Sequence, residues 1–237
     1  MTDDALVGVR RAVFRPVRQG NALEDTVARL VQTVRVGLVA PGESLPSERE
    51  LAVRYGVSRD TVREAIRELA VAGYLERRRG RYGGTFVADP LPPPSAARPS
   101  TAELDDVLGI RRVLEAGAAR AAAGRTLEAG SRDALWTAHL DACSAAEDDY
   151  RRHDSLLHLM IAELSGIPSL VPLVTENRAR INAWLGTFPL LPRNIEHSNE
   201  QHDAIATAIL AGRPDAAEAA VLEHLAGSEA LLRGFLT

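Results

Sequence analysis

Five of the chain's 13 prolines fall within one short stretch, Ala88–Ser100, which reads ADPLPPPSAARPS. Each proline lacks a backbone N–H and pushes the residue before it out of the helical region, so neither a helix nor a central strand runs through such a segment. It reads as a semi-rigid linker. A chain of 237 residues is long enough for two domains, and the linker is where they part. Charge parts at the same place. Residues 1–88 carry 15 Arg against 11 Asp and Glu, a net of +4, whereas residues 89–237 carry 13 Arg against 21 Asp and Glu, a net of −8. A basic first part joined to an acidic remainder implies a polyanionic partner for the first.

Composition removes several function classes. All 28 basic residues are Arg, so there is no lysine for a Schiff base or a Walker-type phosphate loop. Cys143 is the one cysteine, which excludes a disulfide scaffold and a cysteine-based zinc ribbon and suits a reducing cytoplasm. No apolar run reaches the ~18 residues of a membrane span, and MTDDALVGVRRAVF lacks the pattern of a secretory leader. A cytoplasmic protein without a membrane partner is expected.

The first part opens on an aperiodic basic arm, residues 1–20. Asn21 and Glu24 have capping-box spacing, and Val27, Leu30, Val31 and Val34 follow at helical spacing up to Pro41-Gly42. Ser47 and Glu50 form a second box, opening a short helix that Gly56 ends. Ser58 caps a third helix that stops at Gly73. Tyr74–Glu76 and Thr85–Ala88 read as strands joined by RRRGRYGG. On the third helix Val62, Ala65, Ile66 and Leu69 make an apolar stripe, while Arg59, Arg63 and Arg67 recur every four residues on another face. A helix of this kind fits the major groove, where Arg pairs with guanine. Ser58 and Thr61 sit where hydroxyls and backbone N–H groups receive a phosphate. Asp60 either accepts from cytosine N4 or points away from phosphates. Taken alone, the same pattern also describes an amphipathic helix with a solvated basic face.

Beyond the linker every segment is helical, over about 102–123, 129–146, 149–165, 168–186, 194–211 and 214–235, which suggests an antiparallel bundle. Asp154 and His158 share one helix face with Ile161 and Ser165. His202 lies on a stripe with Ile205, Ala206 and Ile209, and His224 on one with Ala217 and Val221. Three helices can thus aim donors at one interior point. His139, His153 and His197 sit in more polar settings. A buried Asp beside three imidazoles needs a counter-charge, and a divalent cation supplies one. A buried histidine is also, ordinarily, a satisfied core residue. Arg111 is a candidate partner for the far end of an anionic ligand.

Two resemblances sharpen this reading. Pro41-Gly42, Leu45-Pro46-Ser47-Glu48-Arg49, Leu51-Ala52, Val57-Ser58-Arg59, Val62-Arg63-Glu64-Ala65 and Gly84-Thr85-Phe86-Val87 resemble the winged-helix domain of GntR-family transcription regulators. That resemblance implies operator contacts from Arg49, Ser58, Arg59, Thr61, Arg63 and Gly84, and a homodimer on a short palindromic duplex. Residues 103–237 resemble the FCD domain, the all-helical effector domain of the fatty-acid-regulator-like branch of that family. The matching pieces are Arg111-x2-Leu114-Glu115, Asp154-x3-His158 with Ser165-Gly166, Gln201-His202 with Ala208-Ile209, and Glu223-His224. This implies that Asp154, His158, His202 and His224 bind a divalent metal, zinc or nickel, which with Arg111 holds a small carboxylate effector. The chain departs from the pattern at Ile167, where Asn is common, and at Arg213-Pro214, where Asp is common.

The expected fold is therefore mainly α: a winged helix-turn-helix over 21–88, a linker over 89–101 and an all-α effector and dimerisation domain over 102–237. The leading function is a DNA-binding repressor, not an enzyme, whose operator binding is modulated by an organic acid at a metal site. The alternatives are a regulator that senses the metal itself, and a metal-dependent hydrolase fused to a nucleic-acid module.

Overall fold

The computed structural model describes residues 22–80, 83–92, 98–186 and 192–236. The expected basic arm, the Asn21 cap, Arg81 of the wing and the centre of the proline-rich linker lie outside these residues. Those described fall into two compact units, each treated by itself.

The first unit runs α1 (Ala22–Arg35), α2 (Glu48–Tyr55), α3 (Arg59–Val71), β1 (Leu75–Arg78) and β2 (Gly84–Val87). Both halves of the box at α2 are present: Glu50 N–H donates to Ser47 Oγ at 3.3 Å, and Ser47 N–H to Glu50 Oε2 at 2.9 Å. Ser58 Oγ accepts from Thr61 N–H at 3.0 Å and starts α3. The two strands pair antiparallel, Leu75 opposite Val87 and Arg78 opposite Gly84. Leu30, Leu51, Tyr55, Val62, Ile66, Leu69, Leu75 and Val87 form one buried cluster beneath them. Full burial of a side chain such as Ile66 stabilises by about 1.5–3 kcal/mol, which is what sets the apolar stripe of α3 inward and leaves its arginines outside.

Two boundaries differ from the sequence reading. Helix α1 stops at Arg35 rather than running to Pro41. Gly37, at φ 76°, takes the left-handed cap, with Gly37 N–H bonded to Val34 O and Leu38 N–H to Thr33 O. Burial of Leu38 beside it then favours the turn over further helix. The wing strands also extend nearer the turn than expected, to Arg78 and Gly84. A Cβ at Gly83 would stand 2.5 Å from the Arg78 carbonyl oxygen, so the tight turn admits only glycine there.

The second unit is six helices: α4 (Thr101–Ala123), α5 (Ala129–Ser144), α6 (Glu147–Leu164), α7 (Leu170–Leu185), α8 (Pro192–Leu210) and α9 (Pro214–Leu236). Ser100 caps α4 through Glu103 N–H at 3.2 Å, so the linker ends there. Helix α4 is the hub, packed against α6, α7, α8 and α9. One end of the bundle is closed by Leu104, Val107, Leu108, Ile181, Trp184 and Leu232. No described helix is long and apolar enough to cross a membrane.

Candidate nucleic-acid interface and candidate metal centre

In the first unit a concavity of about 810 Å³ opens between the start of α2, the start of α3 and the wing. Arg49, Arg59, Arg77, Arg78 and Arg79 line it, with Gly83, Gly84 and Thr85 on the wing side. The arginines are not equivalent. Arg59 and Arg79 form no ion pair with an acid among the described residues, and Arg49 feels only a minor long-range attraction to Glu50. Arg63 is held by two carboxylates, its Nε 3.3 Å from Glu48 Oε2 and its Nη1 2.9 Å from Asp60 Oδ1. Arg67 is paired with Glu64. Arg78 pairs with Glu76 at 3.2 Å and lies over the Phe86 ring, 4.2 Å from its centroid. These pairs are about half-exposed on the arginine side, so each contributes little to the stability of the fold. Spacing alone presented Arg59, Arg63 and Arg67 as an even row; the structure leaves Arg59 as the uncommitted one. The Asp60 carboxylate is engaged by Arg63 on its own helix. Ser58 and Thr61 hydroxyls lie 2.8 Å apart.

In the second unit Asp154 and His158 come from α6, His202 from α8 and His224 from α9. One donor atom from each falls within 4.8 Å of every other. His202 Nε2 is 3.3 Å from Asp154 Oδ1 and 3.3 Å from His224 Nε2. A tetrahedral zinc with bonds of about 2.0–2.1 Å separates its ligands by about 3.3–3.4 Å, so these spacings suit a cation. Outer partners orient the rings. His158 Nδ1 lies 2.6 Å from Glu115 Oε2, and His224 Nδ1 lies 3.2 Å from Gln201 Oε1, which turns both Nε2 atoms inward. His158 Nε2 is buried with no hydrogen-bond partner among the described residues, which suits a nitrogen that coordinates a cation. His202 is the exception, because its buried Nδ1 has no hydrogen-bond partner among the described residues to hold the tautomer. The donor set fits a divalent cation.

Charge reinforces the arrangement. Arg178 on α7 is fully buried and bonds Asp154 Oδ2; its Nη1 is 3.4 Å from Glu115 Oε1. Burial opposes ionisation of Asp154, but the Arg178 charge and the His202 contact outweigh it and hold the carboxyl well below its usual range. At Glu115 burial is likewise outweighed, by His158, Arg111 and Arg178. Burial, then the Arg178 charge, lowers the pKa of His158, although Glu115 opposes this. Burial and the neighbouring His202 and His158 push His224 well down. Both imidazoles are therefore held neutral, which is the form that binds metal.

Arg111 is buried, with Nε on Glu115 Oε1 at 3.1 Å and Nη1 on Ser228 Oγ at 2.8 Å. Sequence reasoning left Arg178 without a role and met Glu115 and Gln201 only as motif letters. Arg178 and Glu115 lie far from the ligands in sequence, and Gln201, although next to His202, orients His224 on another helix. His139, expected in a polar setting, is buried; it sits on the inner stripe of α5 with Leu135, Ala138 and Ala142, its ring 5.1 Å from Trp136.

Comparison with known proteins decides the family. Residues 23–87 match the profile "Bacterial regulatory proteins, gntR family", and residues 106–227 match "FCD domain". The chain belongs to the GntR family. Within it, this GntR protein is 29% identical to an Escherichia coli (strain K12) protein described as a candidate L-lactate dehydrogenase operon regulatory protein, over 94% of this chain and 90% of that one. It is 28% identical to the HTH-type transcriptional regulator LutR of Bacillus subtilis (strain 168), over 85% and 97% of the two chains. It is 26% identical to the Exu regulon transcriptional regulator of E. coli (strain K12), over 88% and 83%. The fold is similar to that of E. coli McbR/YncC, with a TM-score of 0.57 at 20% identity over 90% and 97%. The families and relatives are transcription regulators, not enzymes, and the hydrolase alternative falls with that. This GntR protein is a DNA-binding transcription regulator with an FCD domain.

Proposed function

We propose that the protein is a repressor that binds a palindromic operator as a homodimer through its first unit and releases it when a small organic acid binds at a divalent cation, zinc or nickel, in its second. The observation that carries the reading is the convergence of Asp154, His158, His202 and His224 on one point, with Glu115 and Gln201 orienting two of the imidazoles. With neutral histidines, the charges of Asp154 and Glu115 cancel those of Arg178 and Arg111. A bound divalent cation supplies two net positive charges and an open position for a carboxylate. Arg111 contributes its charge to this centre while Glu115 and Ser228 fix its orientation. The relative named for an L-lactate dehydrogenase operon makes L-lactate the first acid to test.

On the DNA side Arg49 and Arg59 bring uncommitted guanidinium groups, Ser58 and Thr61 the start of α3, and Gly84 a wing that approaches closely. The outward face of α4 supports dimerisation: Ile110 and Val113 are exposed there, Val113 to 73%. To act as a switch, the acid must bind the operator-competent and operator-incompetent arrangements with different affinity.

The test is metal analysis of the purified protein, followed by titration of an operator duplex from its own upstream region. L-lactate and other small acids are added with and without chelator. Chelation and His202→Ala should abolish the acid response while the protein still binds DNA. An acid response that survives both refutes the reading. Operator affinity that follows zinc with no acid present assigns the signal to the metal.

A further inference from the structure

Glu48 is the first residue of α2, yet the cap of that helix is completed by Ser47 and Glu50 without it. Its two oxygens go elsewhere. Oε2 accepts from Arg63 Nε on α3 at 3.3 Å, and Oε1 accepts from Arg77 Nη2 on β1 at 3.2 Å. It is also the single acid among the described residues that line the arginine-rich concavity. A carboxylate at the centre of a surface that receives phosphates repels them, so its presence weakens binding to DNA in general. Folding does not explain it. Arg63 and Arg77 are about half-exposed, and ion pairs of that kind contribute little to stability.

We propose that Glu48 is a specificity-determining positioning residue: it clamps the recognition-helix arginine Arg63 and the wing arginine Arg77 to one carboxylate, so that helix and wing address the duplex as one body. Two consequences follow from the geometry. Arg77 is neutralised by Glu48 and is not a phosphate contact. Arg63, with Nε on Glu48 and Nη1 on Asp60, presents Nη2 in a fixed orientation. Glu48 thus trades general affinity for discrimination, since a freely rotating arginine finds phosphates on any sequence whereas a clamped one reads a base edge. The proposal rests on the reading that this unit binds duplex DNA.

The experiment uses the full-length protein and two duplexes: one enriched by in vitro selection with wild-type protein, and one with its sequence shuffled. Dissociation constants are measured over a salt series for wild type, Glu48→Gln and Arg77→Gln. Glu48→Gln should bind the shuffled duplex more tightly, with the log–log salt slope steeper by about 0.9 as Arg77 acquires a phosphate. The preference for the selected duplex should fall by about tenfold as Arg63 loses its orientation. Arg77→Gln should leave the salt slope at the wild-type value. A wild-type slope and preference in Glu48→Gln overturns the proposal, and so does an Arg77→Gln slope flatter by one phosphate. If Glu48→Gln does not melt cooperatively, the Arg77→Gln slope decides alone. Failure of wild type to enrich any sequence overturns the DNA reading itself, which is a separable result.

Discussion

Replacing Arg178 with Met removes the one guanidinium that faces both Asp154 and Glu115 inside the bundle. The two carboxylates are not equally exposed to the loss. Glu115 keeps Arg111 at 3.1 Å and His158 at 2.6 Å, whereas Asp154 keeps only the longer-range attraction of Arg151 and its contacts with His158 and His202. One largely buried carboxylate therefore loses its contact guanidinium, not two, and stranding such an ion costs up to about 3–5 kcal/mol. For a protein of this size that is a fall in melting temperature of roughly 6–20 °C. A divalent cation should return most of it, because the full charge of Asp154 then faces the metal and no longer shares itself with Arg178. Both tryptophans, Trp136 and Trp184, lie in the second unit, so intrinsic fluorescence follows its unfolding without interference from the first. Thermal melts in chelator and in excess zinc supply the four values needed. The reasoning is refuted if the variant melts with wild type in chelator, or if zinc raises the variant's melting temperature no more than that of wild type.

Two further outcomes follow from the same network. Glu115→Gln replaces the acceptor that orients His158 with a neutral one, and should weaken zinc binding by about 10–100-fold in competition with a chromophoric chelator; unchanged affinity would show that Glu115 does not orient the ligand. In chelator, the fluorescence-monitored stability should fall as pH drops below about 6.5. His158 and His224 have lowered pKa values in the fold, so below 6.5 the unfolded chain binds more protons and acid favours it. Asp154 and Glu115, also lowered, add stability above the ordinary carboxylate range that is lost as pH falls through it toward their folded values. Both sets act in the same direction, and a metal-free protein that gains stability on acidification contradicts the assignment.

The helical segments of the second unit were legible in sequence to within two residues, because Pro and Gly punctuate them and periodicity marks their inner faces. The residues that converge as possible ligands could also be named, since Asp154 and His158 are one turn apart and the stripes of His202 and His224 point inward. The end of α1 was misjudged for a local reason: Gly37 is a stronger stop than Pro41, because it caps the helix left-handed and lets Leu38 bury. His139 was misplaced because it stands between Thr137 and Asp141 two residues to either side, while its neighbours on the helix face, Leu135, Ala138 and Ala142, are apolar.

What the chain alone determined is whatever acts over a turn or less: the Ser47 and Ser58 caps, the glycine stops, the proline break, and the face each periodic residue occupies. What only packing decided is which charges meet. Arg178 reaches Glu115 across 63 positions and Asp154 across 24, and Glu48 reaches Arg63 and Arg77 across 15 and 29. Such partners are chosen by how helices and strands cross, and a charge records nothing in its own neighbourhood about the counter-charge that a distant segment will bring.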